Sequence, residues 1–301
     1  MKENLILQFA IFSLILVGFL VRKLGLVTEQ GQKSLNNLVI YVVLPCNIFR
    51  AFLTADTAAI RADGLWVFGI SLAFQFFCLV YGRVIFRRAP LPRFKCLRFA
   101  TTCSNAGYLG NPVADGLYGA EGLALANIYL IPLRTMMWSA GIAIFTGSHD
   151  RRATVKAVLT HPCIIANLLG LAGMVLGLRL PEPVMRPISY LSSCNTALSM
   201  LVIGMILARI DRKQLLDPSV LYFSLHRLVI LPLLLWGLCL LLPISPMARG
   251  LCVILAAMPA AANTSILADR YGQDALYATK LVVASTLLSI PTTAIWCGLL
   301  V

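Results

Sequence analysis

The sequence predicts an all-α polytopic membrane protein with ten transmembrane helices in two inverted five-helix repeats. Three observations carry that prediction. Of 301 residues, 59% are hydrophobic and 12% charged, with a mean hydropathy of +0.85; soluble chains carry about 25% charged residues. The apolar residues fall into ten runs, most close to the roughly 20 residues a helix needs to cross a hydrocarbon core of about 30 Å. Short strings around two interrupted runs recur 153 residues apart, about half the chain.

In order, run one covers 5–21 and run two 34–54, the latter interrupted by Pro45. Run one lacks a small-residue cleavage site, so it reads as a membrane helix rather than a leader peptide. Run three is 65–86, run four 96–118 and run five 121–146. The second half gives 155–178, 188–210, 219–242, 247–269 and 274–301.

The loops between runs alternate in charge. On one side lie Arg22, Lys23 and Lys33; Arg87, Arg88, Arg93, Lys95 and Arg98; Arg151, Arg152 and Lys156; Arg209, Arg212 and Lys213; and Arg270. Those 15 basic residues face only five on the other side: Lys2, Arg61, Arg179, Arg186 and Arg249. Basic loops stay in the cytoplasm, which predicts that both termini are extracytoplasmic. The same clusters account for the +13 net charge. No basic, aromatic-laced stretch is left for nucleic acid. Nine cysteines form no CxxC pair and lie almost entirely in apolar runs, as small buried side chains do.

Run four is where the chain departs most from a plain span. Gly107, Gly110 and Pro112 weaken a helix within six positions, and Asn105, Asn111 and Asp115 add polarity. Freed backbone at membrane depth is tolerated only against protein or a water-filled cavity. Run nine echoes it more softly: Pro259 removes a donor, and Asn263, Thr264 and Ser265 follow. Those three can either re-satisfy a kinked turn or face a cavity. The string ADGLYGAEGL at 114–123 returns as ADRYGQDAL at 268–276, and Pro45-Cys46-Asn47 is echoed by Ser193-Cys194-Asn195. The repeats are therefore 1–150 and 151–301. Five spans per half is odd, so the halves must be inverted. Inverted repeats with a broken helix in each are an architecture of secondary transporters.

Such a site suits an anion. Half-helix amino ends supply about half a positive charge each and free N–H groups, and Asn105, Asn111 and Asn263 add amide donors without fixed charge. Arg134 lies about 20 Å into run five, where a lipid-facing guanidinium costs about 2.5–3.5 kcal/mol or more. It should therefore face the bundle interior and attract an anion, or else pair with Asp115 or Glu121 or snorkel. Lys280 can snorkel to the cytoplasmic side, and Arg227 is ambiguous. Asn47 and Asn195 either line a substrate path or make interhelical hydrogen bonds. Asp115, Glu121, Asp269 and Asp274 flank the broken runs, where capping the next helix is a simpler role than binding a coupling cation.

His149, His161 and His226 have no metal-ligand spacing with cysteine or carboxylate, and His161 before Pro162 suits a helix cap. The glycine-rich stretches lack a phosphate-binding context. No metal, cofactor or catalytic set is expected. An enzyme is disfavoured for the same reason, and a sensor or channel remains the other class.

Ser104-Asn105-Ala106-Gly107-Tyr108-Leu109-Gly110-Asn111-Pro112, Ala257-Met258-Pro259 and Leu44-Pro45 resemble the auxin efflux carrier family. The resemblance spans essentially the whole chain, without the large central loop of plant members. It implies a bile-acid-symporter-like fold in which helices four and nine are broken and cross. Helices 1, 2, 6 and 7 would form a scaffold and helices 3–5 and 8–10 a moving transport bundle, in an elevator-like cycle. It also implies that Asn105 and Pro112, with Pro259 and its neighbours, line the site of a small organic anion such as a malonate-like dicarboxylate or an auxin-like indole acid. A plasma (inner) membrane location, a homodimer and a coupling Na⁺ or H⁺, as in bile-acid symporters, are further expectations.

Overall fold

The computed structural model describes residues 2–146, 151–208 and 217–300. His149, Arg209, Arg212, Lys213, the end of run seven at Ile210, and Val301 lie outside the described residues, as do the side chains of Lys2 and Arg151. Among the described residues the chain is helical throughout, without a strand.

The helices are α1 (Lys2–Lys23), α2 (Glu29–Thr54), α3 (Thr57–Ile85), α4 (Leu91–Thr102), α5 (Asn111–Trp138), α6 (Ala140–Thr146) and α7 (Arg151–Leu159). They continue as α8 (Pro162–Val175), α9 (Glu182–Leu207), α10 (Pro218–Leu240), α11 (Pro246–Ala256), α12 (Asn263–Arg270) and α13 (Ala275–Leu300). Among the described residues, seven stretches are long and apolar enough to cross a membrane, and α8 and α11 are shorter apolar helices. The protein is therefore an integral, multi-pass helical membrane protein.

Short polar side chains start these helices by accepting orphan N–H groups. Thr28 accepts from Gly31, Asp56 from Ala58, Asp217 from Ser219 and Ser245 from Ala248. His161 accepts from Cys163 and Asp274 from Tyr277, the capping roles their positions suggest. At His161 the chain leaves helix, so run six is two helices, α7 and α8, rather than one.

One apolar stretch, Ala106–Thr146, is 41 residues long, yet it is not straight. Gly119 inside α5 has φ 61° and ψ −151°, a conformation open to glycine because it has no Cβ. Asn111 Nδ2 donates to Asn127 Oδ1 at 3.2 Å across 16 residues. A continuous helix would hold those residues about 24 Å apart, so α5 folds back on itself at Gly119. Gly272, its counterpart in the recurring Tyr-Gly string, also has positive φ, 63°.

Three π-helical turns, Val39–Val43, Ala106–Gly110 and His226–Ile230, each stand immediately before a proline-bearing turn, at Pro45, Pro112 and Pro232. A proline cannot donate to the carbonyl four residues back and crowds it, and a wider π turn accommodates both. The carbonyl that Pro232 cannot serve, that of Leu228, instead accepts the Trp296 indole N–H at 2.9 Å.

α1 packs along α9, where Gly18 lies against the Leu201 backbone and Gly204 against the Ile15 backbone. Small residues permit such close approach between membrane helices.

Candidate functional site

The break in run four does not fall where its helix-weakening residues stand. α4 ends at Thr102, and Ala106–Gly110 already turns helically, so Gly107, Gly110 and Pro112 lie inside the following helix. Pro112 follows just after that π turn, which accommodates the donor it lacks. Gly110 is there for closeness: a Cβ on it would stand 2.5 Å from Leu255 Cδ2 and 3.5 Å from Met258 Cγ. The interruption itself is 103–105. In run nine the chain is non-helical over 257–262, between α11 and α12, which is a full interruption rather than a kink.

These two interruptions meet. Asn105 N–H donates to the Pro259 carbonyl at 2.8 Å, and Ala261 N–H to the Cys103 carbonyl at 3.1 Å. Ser104 and Ala260 thus oppose each other in an antiparallel bridge. A third loosened amide, Ala260 N–H, is taken by Ser285 Oγ of α13 at 3.2 Å. Backbone groups freed by each break are satisfied by the other break and by side chains, as burial at membrane depth requires.

The carboxyl ends of α4 and α11 are served by Arg227. Its guanidinium is buried, donating from Nε to the Met258 carbonyl and from Nη1 to the Thr101 carbonyl, both at 3.0 Å. The amino ends, of the turn after Asn105 and of α12, turn toward α5. A Cβ on Gly107 would lie 3.7 Å from Arg134 Nη2, and Asn263 Nδ2 donates to Met137 Sδ at 3.4 Å. Arg134 and Met137 are about 4.5 Å apart along α5, so both amino ends reach one turn of that helix. Arg134 is 7% exposed, and neither Nη1 nor Nη2 has a hydrogen-bond partner among the described residues. No ion pair joins it to Asp115 or Glu121 there.

The other predicted residues divide between this centre and elsewhere. Asn105 is buried at the crossing, and the Pro259 carbonyl is its partner. Thr264 Oγ1 and Ser265 Oγ donate to the carbonyls of Ala261 and Ala262 at 2.7 and 3.0 Å, re-satisfying the loosened turn. Asn111 and Pro112 are buried one turn further on, with the Asn111 amide donating to Asn127. Asn47 and Asn195 have hydrogen-bond partners on α9. Asn47 donates to Ser192 Oγ at 3.1 Å and Asn195 accepts from Ser199 Oγ at 3.3 Å, one an interhelical bond and the other local to α9.

Sequence reasoning weighed Arg227 without placing it. Its signal was an arginine five residues before Pro232 in a mostly apolar run. A second unused signal was Leu-Gly-Leu at 24–26 and again at 176–178, where Gly25 and Gly177 both end helices with positive φ, 74° and 63°.

Three relatives span nearly their full lengths and nearly all of this chain. An uncharacterized transporter of Methanothermobacter thermautotrophicus is 28% identical over 302 residues, covering 95% of each chain. One of Methanocaldococcus jannaschii is 26% identical over 306 residues, again 95% of each. A protein of Rhizobium meliloti named "Putative malonate transporter" is 25% identical over 306 residues, covering 96% of this chain and 92% of its own. The chain also matches the membrane transport protein family over residues 6–158 and 152–297. It belongs to that family, the auxin efflux carriers, and is a membrane transporter rather than an enzyme.

Proposed function

We propose that the protein is a secondary transporter of a small organic carboxylate, bound where the two interrupted helices cross and released to either side by alternating access. The observation that carries this reading is Arg134, a buried guanidinium with two nitrogens unpartnered among the described residues, beside the amino end that starts at Ala106. An unpaired buried cation is costly. A bound carboxylate would supply the missing charge and acceptors in a two-pronged geometry that suits a guanidinium. The amino ends after Asn105 and at Asn263 would add backbone N–H groups and partial positive charge. The Rhizobium meliloti relative's name favours a malonate-like dicarboxylate over an indole acid.

In this reading the chain crosses the membrane ten times. α5 counts twice because it turns at Gly119, and α11 with α12 forms one interrupted crossing. Residues 1–150 and 151–301 are the two inverted repeats, supported by the paired Tyr-Gly turns at Gly119 and Gly272. The scaffold comprises α1, α2, α7, α8 and α9; the bundle that moves comprises α3 to α6 and α10 to α13. Asn105, Asn111, Pro112, Pro259, Asn263, Thr264, Ser265 and Arg134 frame or support the binding site, with Asn47 and Asn195 on the scaffold side. Both termini are extracytoplasmic in the plasma (inner) membrane, the unit is a homodimer, and Na⁺ or H⁺ can serve as the coupling ion.

A thermal-shift screen of purified protein against mono- and dicarboxylates, with and without Na⁺, tests this. A carboxylate-dependent rise in melting temperature is expected, larger for dicarboxylates. No shift with any carboxylate would count against the reading.

A further inference from the structure

Arg227 is 2% exposed and among the largest buried side chains of the described residues. Its position is fixed from behind as well as in front. The π turn that carries it, His226–Ile230, is held by the contact of Tyr81 Oη with His226 Nδ1 at 2.5 Å and by the Trp296 indole N–H on the Leu228 carbonyl at 2.9 Å. From that turn the guanidinium reaches the Met258 and Thr101 carbonyls, both at 3.0 Å. Those carbonyls belong to the carboxyl ends of the two interrupted helices. Each such end carries about half a negative charge, and two of them brought together repel. One guanidinium between them balances both, and its fork spans two acceptors as a point-like ammonium cannot.

We propose that Arg227 is the positioning residue of the transport site: it ties the carboxyl ends of both interrupted helices and so sets the register in which their amino ends are presented to the anion. Arg227 itself does not touch the substrate. The two buried guanidinium groups thus divide the work. Arg227 is spent on the carboxyl ends, and Arg134 is left for the ligand. The consequence for binding rests on the carboxylate reading above, while the bracing of the crossing stands on geometry alone.

The bridge between Ser104 and Ala260 provides the test. Flanked by the bonds from Asn105 and Ala261, they form a non-hydrogen-bonded antiparallel pair, for which Cα atoms lie about 4.5 Å apart, within disulfide reach. In a full-length protein with the native cysteines replaced, Ser104→Cys with Ala260→Cys should cross-link readily under mild oxidant. Adding Arg227→Lys or Arg227→Met should slow cross-linking by about tenfold or more, the factor of a 1.4 kcal/mol change. In proteoliposomes Arg227→Lys should raise KM for the carboxylate while leaving the maximal rate closer to the parent, and closing the engineered disulfide should restore KM. A purely structural arginine would give no such restoration. If Arg227→Met does not fold, Arg227→Lys, which keeps the charge but not the fork, carries the cross-linking test alone. Cross-linking at the parental rate in folded Arg227→Lys and Arg227→Met would overturn it. Slower cross-linking in a protein that carries no carboxylate would leave the brace intact and refute the transport reading instead.

Discussion

Arg134 lies against Gly107: a Cβ built on that glycine would stand 3.7 Å from Nη2, and both terminal nitrogens of the guanidinium are without hydrogen-bond partners among the described residues. This joins the start of one interrupted helix to the middle of its neighbour, and makes a specific expectation for stability. Arg134→Met should leave the ligand-free protein as stable or stabilise it by about 1–4 kcal/mol, as exchanging buried charge for well-packed apolar groups does. It should also abolish any carboxylate-dependent thermal shift. A drop in ligand-free melting temperature would show that Arg134 is a structural partner instead.

The contact of α1 with α9 leaves no room for a methyl group. At Gly204 a Cβ would meet the backbone of Ile15 and Phe19, which cannot move aside as a side-chain tip can. Gly204→Ala should therefore destabilise by about 3 kcal/mol, the upper end of ordinary overpacking costs. Melting in detergent reads this directly, and Gly69→Ala, where nothing lies within 4 Å, is the matched control.

The fold-back at Gly119 is secured by Asn111 and Asn127. Asn127 also donates to the Leu123 carbonyl at 2.9 Å. Losing either amide leaves a buried polar group short of a partner, at a cost of about 1–3 kcal/mol. A double-mutant cycle with Asn111→Ala and Asn127→Ala should show coupling of about 0.5–3 kcal/mol. Additive effects would mean that the two side chains act separately.

Asp217 predicts a pH dependence outside the membrane. The Ser219 hydroxyl donates to it at 2.7 Å and the Ser219 amide at 3.0 Å, and Arg93 lies 3.9 Å away. Hydrogen bonding from the Ser219 hydroxyl, foremost, outweighs the opposing effect of burial and, with the Ser219 amide and the charges of Arg93 and Lys280, holds its carboxyl below the ordinary range. A depressed pKa means stability that is present above the unfolded value of about 3.9 and lost as pH falls through the folded value. Asp217→Ala should cost about 1 kcal/mol as a lost cap at neutral pH. The gap between the two proteins' melting temperatures should close as the pH is lowered below about 4.

Much of the architecture was legible because burial in lipid writes itself into composition. The apolar runs, the two interruptions, the Tyr-Gly turns and the capping roles of His161 and Asp274 all follow from local chemistry. Residues whose role depends on a distant partner were not legible. Arg227 finds its acceptors at Thr101 and Met258, and Asn111 finds Asn127 only because Gly119 reverses the chain. Pro112 misled for a physical reason. A proline usually breaks a helix interior, but the π turn before Pro112 widens the helix and lets it continue. The true break lies upstream, at 103–105, where Cys103 and Asn105 pair with the facing chain.

Carboxylate uptake into proteoliposomes by the parent protein and by Arg134→Gln, at matched amounts of folded protein, tests the central claim most directly. Saturable uptake by the parent, with a loss of at least about tenfold in Arg134→Gln, as removal of a bidentate charged contact of 1.4 kcal/mol or more would give, is the predicted result. Equal uptake by both proteins would contradict it.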